Sequence, residues 1–225
     1  MKFLDLTLPT PAENLACDEA LLDLCEENGG EGFLRFWEAR AHFIVLGYSN
    51  KARTEVHLDR ARQDGVPVLR RCTGGGAVLQ GPGCLNYSLI LPITAPIPET
   101  NVTIMQRHAK AIGGEVRGHS DLTLGDLKFS GNAQRRKRRY LLFHGSFLLN
   151  LDIERVERLL PLPSREPEYR RHRAHRQFLT NVDFEIRSAL QETWQATEPF
   201  ADVPLDKIAA LARRQYSTDE WTFKF

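Results

Sequence analysis

Apolar positions first recur at helical spacing: Leu15, Ala16, Ala20, Leu21 and Leu24 fall on one face of a helix. Thr10 precedes that run as an N-cap, Pro11 suits the first helical position, and Glu13, three residues after Thr10, completes a capping box. Asn28-Gly29-Gly30 supplies the stop. The period then changes. Phe33 to Trp37 and Phe43 to Tyr48 are short apolar runs with the β-branched and aromatic content of strands. The pattern next predicts a short helix capped by Thr54 and running to Asp64, closed by Gly65, and strands over 66–71, 77–79 and 85–91. Pro92, Pro96 and Pro98 mark a loop before a helix from Val102 to Ile112, closed by Gly113-Gly114. Strands return at 121–124, 127–130 and 140–151. After Asp152 the chain reads as helical and basic, with further helices near 184–195 and 206–215. This order predicts an α/β (α+β) fold, a mixed sheet flanked by helices.

Composition narrows the class. A chain of 225 residues with 42% hydrophobic content can bury a full core, so a single compact domain is expected. Lys plus Arg (30) nearly balance Asp plus Glu (29), and a net charge of +1 argues against a protein that coats nucleic acid. No apolar run reaches the roughly 18 residues that span a bilayer, and the N-terminus lacks the charged-then-apolar pattern of a secretory leader. Four cysteines show no CxxC pair and no histidine at zinc-finger spacing, so they read as reduced thiols rather than metal ligands. The expectation is a cytoplasmic protein with no membrane partner.

Three segments could carry chemistry. In Arg70-Arg71-Cys72-Thr73-Gly74-Gly75-Gly76-Ala77-Val78, three glycines leave the backbone uncovered, and successive amides in such a turn can form an anion nest. The two arginines before it are forked donors suited to phosphate or carboxylate. No Gly-Lys-Ser/Thr follows, so this is not a P-loop, and glycine content alone does not separate a nest from a flexible hairpin. Lys128 alternates with Leu127 and Phe129 and so leaves the opposite face of a strand, where a lone lysine is usually a solvated edge residue. Gly131 suits a backbone that passes near a ligand. His144-Gly145 inside an apolar strand is either a hydrogen-bonded core histidine beside a bulge or an apolar pocket wall.

Taken in order, RRCTGGGAVLQGPGCLNYSLIL, GHSDLTLGDLKFSGNAQRR and FHGSFLLNLD resemble the lipoate–protein ligase A family, of the biotin/lipoate ligase and octanoyltransferase superfamily. NLACDEALL, FWEARAHFIVLGYSNKARTEV and FLTNV agree, so the resemblance covers nearly the whole chain. Biotin ligases share that fold with a different, GRG-type glycine loop. The resemblance implies a catalytic domain related to class II aminoacyl-tRNA synthetases, with a mixed, largely antiparallel sheet. It implies that lipoate or octanoate is activated with ATP and Mg2+ to an acyl-adenylate and passed to a lysine of a lipoyl-accepting protein, an H-protein or E2 lipoyl domain. By the same resemblance the adenylate site comprises Arg71, Thr73, Gly74, Gly75, Gly76, Ala77, Val78, Leu79, Asn86, Asp121, Lys128, Ser130, Gly131 and Ala133. Lys128 is its catalytic lysine, and Asp121 is the one candidate to meet the nucleotide's magnesium, with no protein-only metal site. The acyl pocket falls on Arg70, Gly76, His144 and Gly145.

Departures from the family pattern carry their own expectations. Larger members add a C-terminal accessory domain, whereas this chain stops at a segment resembling the end of the catalytic domain. That implies one domain over 1–225, with either a separate accessory subunit for the activation step or transfer of a pre-made acyl group alone. Gln80-Gly81 stands where many ligases have His-Asp. The alternative activity, octanoyl transfer from acyl carrier protein, needs a nucleophilic cysteine. Similar transferases carry it shortly before the lysine, and Glu115 to Leu127 contains none, leaving Cys72 and Cys84 as substitutes. A non-catalytic acyl-binding protein is the third reading. Two basic runs, Arg135 to Arg139 and Arg170 to Arg176, suggest a rim that steers small acidic acceptor domains, in preference to nucleic acid.

Overall fold

The capping box predicted for the first helix forms. In the computed structural model, which describes residues 1–225, the Glu13 amide donates to Thr10 Oγ1 at 3.2 Å and the Thr10 amide donates to Glu13 Oε2 at 3.0 Å. Such a cap stabilises a helix by about 1 kcal/mol. Strand β1 (Lys2–Asp5) precedes this helix, α1 (Pro11–Asn28), and β2 (Phe33–Trp37) and β3 (Phe43–Leu46) follow it.

The predicted helix at 54–64 is two short ones, α2 (Ala52–Glu55) and α3 (Leu58–Gln63). The chain leaves the first at Val56, which is extended and buried, and His57 N–H donates to Leu159 O at 2.9 Å. Docking on a neighbour thus overrides helix continuation, and Thr54 lies inside α2 rather than capping it. Strands β4 (Val68–Arg70), β5 (Val78–Gln80) and β6 (Cys84–Pro92) flank the glycine loop. Helix α4 (Ile97–Ile112) starts five residues before the predicted Val102: Pro96 is its N-cap and Pro98 sits in the first turn, where no amide donor is needed.

Next come β7 (Glu115–Arg117), β8 (Asp121–Leu124), β9 (Leu127–Arg136) and β10 (Tyr140–Leu148). β9 outruns its predicted end by six residues because Ser130 to Arg136 pair with Phe147 to Leu141 of β10. The chain closes with α5 (Ile153–Leu159), α6 (His175–Phe178), α7 (Ile186–Thr193), β11 (Glu198–Pro199), α8 (Leu205–Leu211) continued by a π-helical turn, and α9 (Asp219–Thr222).

The main sheet has eight strands in the order β11-β1-β2-β6-β10-β9-β8-β7. Its β11-β1-β2 edge is parallel and every later pair antiparallel, so the mixed, largely antiparallel sheet is as expected. A second sheet, β4-β3-β5, carries the glycine loop between β4 and β5. Helices cover both faces of the main sheet. Tyr140 and Leu142 of β10 join the core under α1 and α8, while Leu141, Phe143 and Phe147 join the core under α4 and α7. The two-residue period of the strand then brings His144 to the α1 side.

Candidate active site

Residues 74–78 and Lys128 line one cavity of about 730 Å³ together with Asp18, Trp37, Arg71, Gln80, Asn86, Asp121, Gly131, Ala133, His144 and Gly145. The alternation read from the sequence places the lysine there. Phe129 is fully buried in the α4–α7 core, so Lys128 leaves β9 on the other face. Its main chain is pinned by Thr180, whose amide donates to Lys128 O at 3.0 Å. The Lys128 amine lies 2.7 Å from Asp121 Oδ1 and stays about one quarter exposed. Gly131 leaves space for this pose: a Cβ would lie 2.8 Å from Lys128 Cε and Nζ and push the amine aside. The close approach expected at Gly131 is thus made by the chain's own lysine.

The glycines of the loop differ in what demands them. Gly75 has φ +90, and a Cβ there would meet Arg71 Nη2 at 2.8 Å. At Gly74 and Gly76 a Cβ would meet nothing within 4 Å, so these two leave open space above an exposed main chain. The local fold is held from below by Arg71. Its guanidinium donates to Gly74 O (2.5 Å), Gly76 O (2.9 Å), Thr73 Oγ1 (3.0 Å) and Val45 O (3.3 Å). Burial pulls it down to about 10, so it remains charged at neutral pH. Arg71 thus shapes the loop through its guanidinium while lining the cavity.

Arg70 is placed elsewhere. It is fully buried and donates to Gly47 O, Tyr48 O, Trp221 O and Thr222 O, tying the C-terminal segment to β4, and it does not line the cavity. The sequence cannot distinguish an arginine aimed at a ligand from one that satisfies backbone carbonyls. Thr73, Leu79 and Ser130 are also buried and off the cavity wall; they support it from behind.

A buried polar network runs under the loop. Thr73 Oγ1 is 2.7 Å from His144 Nε2, and His144 Nδ1 is 3.1 Å from Asp18 Oδ2. Asp18 Oδ1 accepts from Arg35 Nη1 at 2.6 Å. Because a carboxylate only accepts, Nδ1 carries a proton toward Asp18, and Nε2 shares the other hydrogen bond with Thr73 Oγ1. Burial opposes the Asp18 charge, but Arg35 and His144 outweigh it and hold the carboxyl below its ordinary range. Neither Asp18 nor Arg35 was singled out from the sequence. The available signal was a charge inside Phe33 to Trp37, where every residue is buried and an arginine must find a counter-charge. Gly145 follows from packing: a Cβ would overlap the Asn132 side-chain oxygen, which also accepts from Tyr87 OH at 2.6 Å. Gln80 and Asn86 reach the same cavity.

The free basic rim does not form. Arg135 pairs with Glu19 at 2.6 Å, Arg136 bonds Ala95 O and Thr100, Lys137 pairs with Asp23, and Arg139 with Glu26. In the second run Arg170 is buried against Phe178, Arg173 holds backbone carbonyls and Arg176 pairs with Glu157 at 3.2 Å. The side chains of Arg138 and Arg171 remain exposed and unpaired. All four cysteines are buried, and none lines the cavity. No helix is long and apolar enough to cross a membrane.

Comparison with known proteins identifies the family and the fold. The profile of the "Lipoyl protein ligase A/B catalytic domain" family matches residues 10–198. A provisionally named lipoate-protein ligase A of Aeropyrum pernix is 33% identical over 198 residues, 83% of this chain and 72% of that protein. Octanoyltransferase LipM of Carboxydothermus hydrogenoformans is 30% identical, covering 100% of this chain and 98% of its own. Among solved structures, a bi-partite lipoate protein ligase studied with its E2 lipoyl domain, from Thermoplasma acidophilum, superposes with a TM-score of 0.79 at 27% identity, covering 99% of this chain and 95% of that one. A lipoate-protein ligase A bound with ATP gives 0.77 at 27% identity, with 99% and 98% covered.

Proposed function

The chain belongs to the lipoyl protein ligase A/B catalytic domain family, and from that premise we propose that it is an ATP-dependent ligase that activates lipoate or octanoate and acylates a lysine of a lipoyl domain. The observation that carries this reading is the composition of the cavity wall: it presents the Lys128 amine and an open glycine main chain, and no cysteine. A transferase that takes octanoyl from a thioester needs a thiolate there. Burial pushes the thiols nearest the glycine loop up, Cys72 to about 11 and Cys84 to about 12, which suits small core fillers rather than nucleophiles.

In the first half-reaction the acid's carboxylate oxygen attacks the α-phosphorus of ATP, and the bond to pyrophosphate breaks. Negative charge grows on the phosphoryl oxygens, opposite Lys128 and the exposed amides of Gly74 to Gly76. In the second, the acceptor lysine's neutral amine attacks the acyl carbonyl, AMP leaves, and the amine's proton passes to solvent or to AMP. Thr73, His144, Asp18 and Arg71 hold the loop's shape beneath the reacting atoms. Magnesium would arrive on the nucleotide's phosphates. Asp121, its candidate ligand, already has one oxygen on Lys128 and the other accepting from Tyr169, so no step is assigned to the ion.

The acceptor is proposed to be a lipoyl domain, with acyl activation aided by a separate accessory chain, as the Thermoplasma bi-partite ligase suggests. Octanoyl transfer is the second reading, favoured by the full-length match to LipM. Purified protein with ATP, magnesium and lipoate, with and without acceptor, should yield lipoyl-AMP by mass spectrometry. Acylation of the acceptor from octanoyl carrier protein without nucleotide would instead establish the transferase.

A further inference from the structure

Segment 160–175 lines one side of the cavity, contributing Leu160, Pro161, Pro163, Arg165, Pro167 and Arg170 to its wall. One side chain of this segment reaches the lysine's own partner. Tyr169 OH donates to Asp121 Oδ2 at 2.8 Å, while Asp121 Oδ1 meets the Lys128 amine at 2.7 Å. The carboxylate is therefore held at both oxygens, between this segment and the proposed catalytic group. The ring of Tyr169 is fixed independently, packing on Phe178 with centroids 5.3 Å apart and lying under Arg117 at 5.9 Å. Gly118 lies against the ring in ordinary contact, a Cβ there standing 3.6 Å from Tyr169 Cε1, and its φ of +56 is what favours glycine. Arg173 anchors the same turn, donating to Tyr169 O at 3.1 Å and across to Asp126 O at 2.9 Å. Burial and the facing carboxylate push the phenol up, so it is a neutral donor at physiological pH.

The geometry points to Tyr169 as a positioning residue: by pinning Asp121 it sets where the Lys128 amine stands, and it links that setting to the seating of segment 160–175 in the cavity wall. A carboxylate fixed at one oxygen cannot rotate off the amine that its other oxygen holds. With the pin removed it samples other rotamers, and the amine spends part of its time out of register with the glycine loop. Tyr169 carries no periodic signal in the sequence, since it stands between Glu168 and Arg170 in a charged, proline-containing stretch.

This inference rests on the ligase reading for its role in turnover, and its test separates the two. Tyr169→Phe keeps the ring and removes only the hydroxyl. In the full chain it should lower acyl-adenylate turnover about tenfold, as expected for a hydrogen bond to a charged group, with KM for ATP and acid within about twofold and the melting temperature unchanged. In an Asp121→Ala background the same substitution should have no further effect. The inference is overturned if Tyr169→Phe turns over like wild type, or if its full effect persists without Asp121. Should the wild-type chain form no acyl-adenylate, the ligase reading falls while the pin remains testable. Acetylation of Lys128 by N-hydroxysuccinimide acetate, followed by mass spectrometry without substrate, should then accelerate at least threefold in Tyr169→Phe and not in the Asp121→Ala background, and equal or slower labelling overturns it.

Discussion

His144 and Thr73 meet at 2.7 Å directly under the glycine loop, and through them a buried arginine on β2 is connected to the loop's shape. The connection runs from Arg35 to Asp18, His144, Thr73 and Arg71, which holds the carbonyls of Gly74 and Gly76. Arg35 and Asp18 are both almost fully buried. Replacing Arg35 by Met leaves a buried carboxylate without its counter-charge and should destabilise the fold by about 3–5 kcal/mol. Adding Asp18→Asn should recover much of that loss. Urea denaturation of the wild type and these two variants checks the pattern; equal stability of the single and double mutants would refute it.

The same carboxylate sets part of the acid response. Its folded pKa is depressed below the ordinary 3.8, so its contribution is present above that value and is lost as pH falls through the lower, folded one. His108 acts in a different window. Burial pulls this histidine down to about 3 from 6.5, and its Nε2 accepts from Trp194 Nε1 at 2.9 Å. Between those values the unfolded chain binds a proton that the folded chain does not, so stability declines as pH drops from 6.5 toward 3. His108→Phe should flatten the stability profile across that window, and Asp18→Asn should flatten it only below 3.8. Melting temperatures from pH 2.5 to 7.5 distinguish the two.

Lys128→Ala is expected to reduce acyl-adenylate formation by about a hundred- to a thousandfold, the loss typical of one donor to a transition-state charge, roughly 3 kcal/mol. The lysine is partly exposed and its ion pair lies at the cavity wall, so the melting temperature should hardly move. Normal ATP–pyrophosphate exchange in this variant would remove Lys128 from the mechanism.

Where local chemistry decides structure, the sequence was legible. The capping box bounded α1, and strands 33–37 and 121–124 were read to the residue. The interior strand β1 and the edge strands β7 and β11 were not: two or three residues carry too little periodicity in β7 and β11, and β1 lies before the first clear apolar pattern. At the site, alternation told which way Lys128 points, because Phe129 had to be inside. It could not tell what Arg70 and Arg71 hold, since a guanidinium suits a carbonyl cage as well as a phosphate. Asp18 reached the cavity through helix packing across 126 residues of chain from His144, which no local pattern encodes.

The glycine triplet separates fold from binding. Gly75→Ala places a methyl 2.8 Å from Arg71 Nη2 at a φ of +90, so it should destabilise by about 1–3 kcal/mol and disorder the loop. At Gly74 a methyl meets no protein atom within 4 Å. Gly74→Ala should therefore melt like wild type while weakening nucleotide and acid binding at least tenfold, because the methyl occupies the open space above the loop. Calorimetric titration beside a thermal melt reads both. Wild-type affinity in Gly74→Ala would show that the ligand does not approach the loop there.

The cysteines offer the sharpest separation between the two activities in this family. Cys72 and Cys84 sit on either side of the glycine loop in sequence, yet both are buried in the core and their thiols are held protonated at neutral pH. A ligase has no need of either, so Cys72→Ala and Cys84→Ala should each retain lipoyl-AMP formation within about threefold, with a stability loss of about 1 kcal/mol for the vacated volume. Native protein should resist iodoacetamide at both positions, since alkylation requires thiolate and access. A transferase predicts the reverse: rapid alkylation at one of them, an octanoyl adduct detectable on intact protein, and loss of acyl transfer in the matching alanine variant. The two sets of outcomes share no result, so one labelling experiment and two variants decide between adenylate and thioester chemistry.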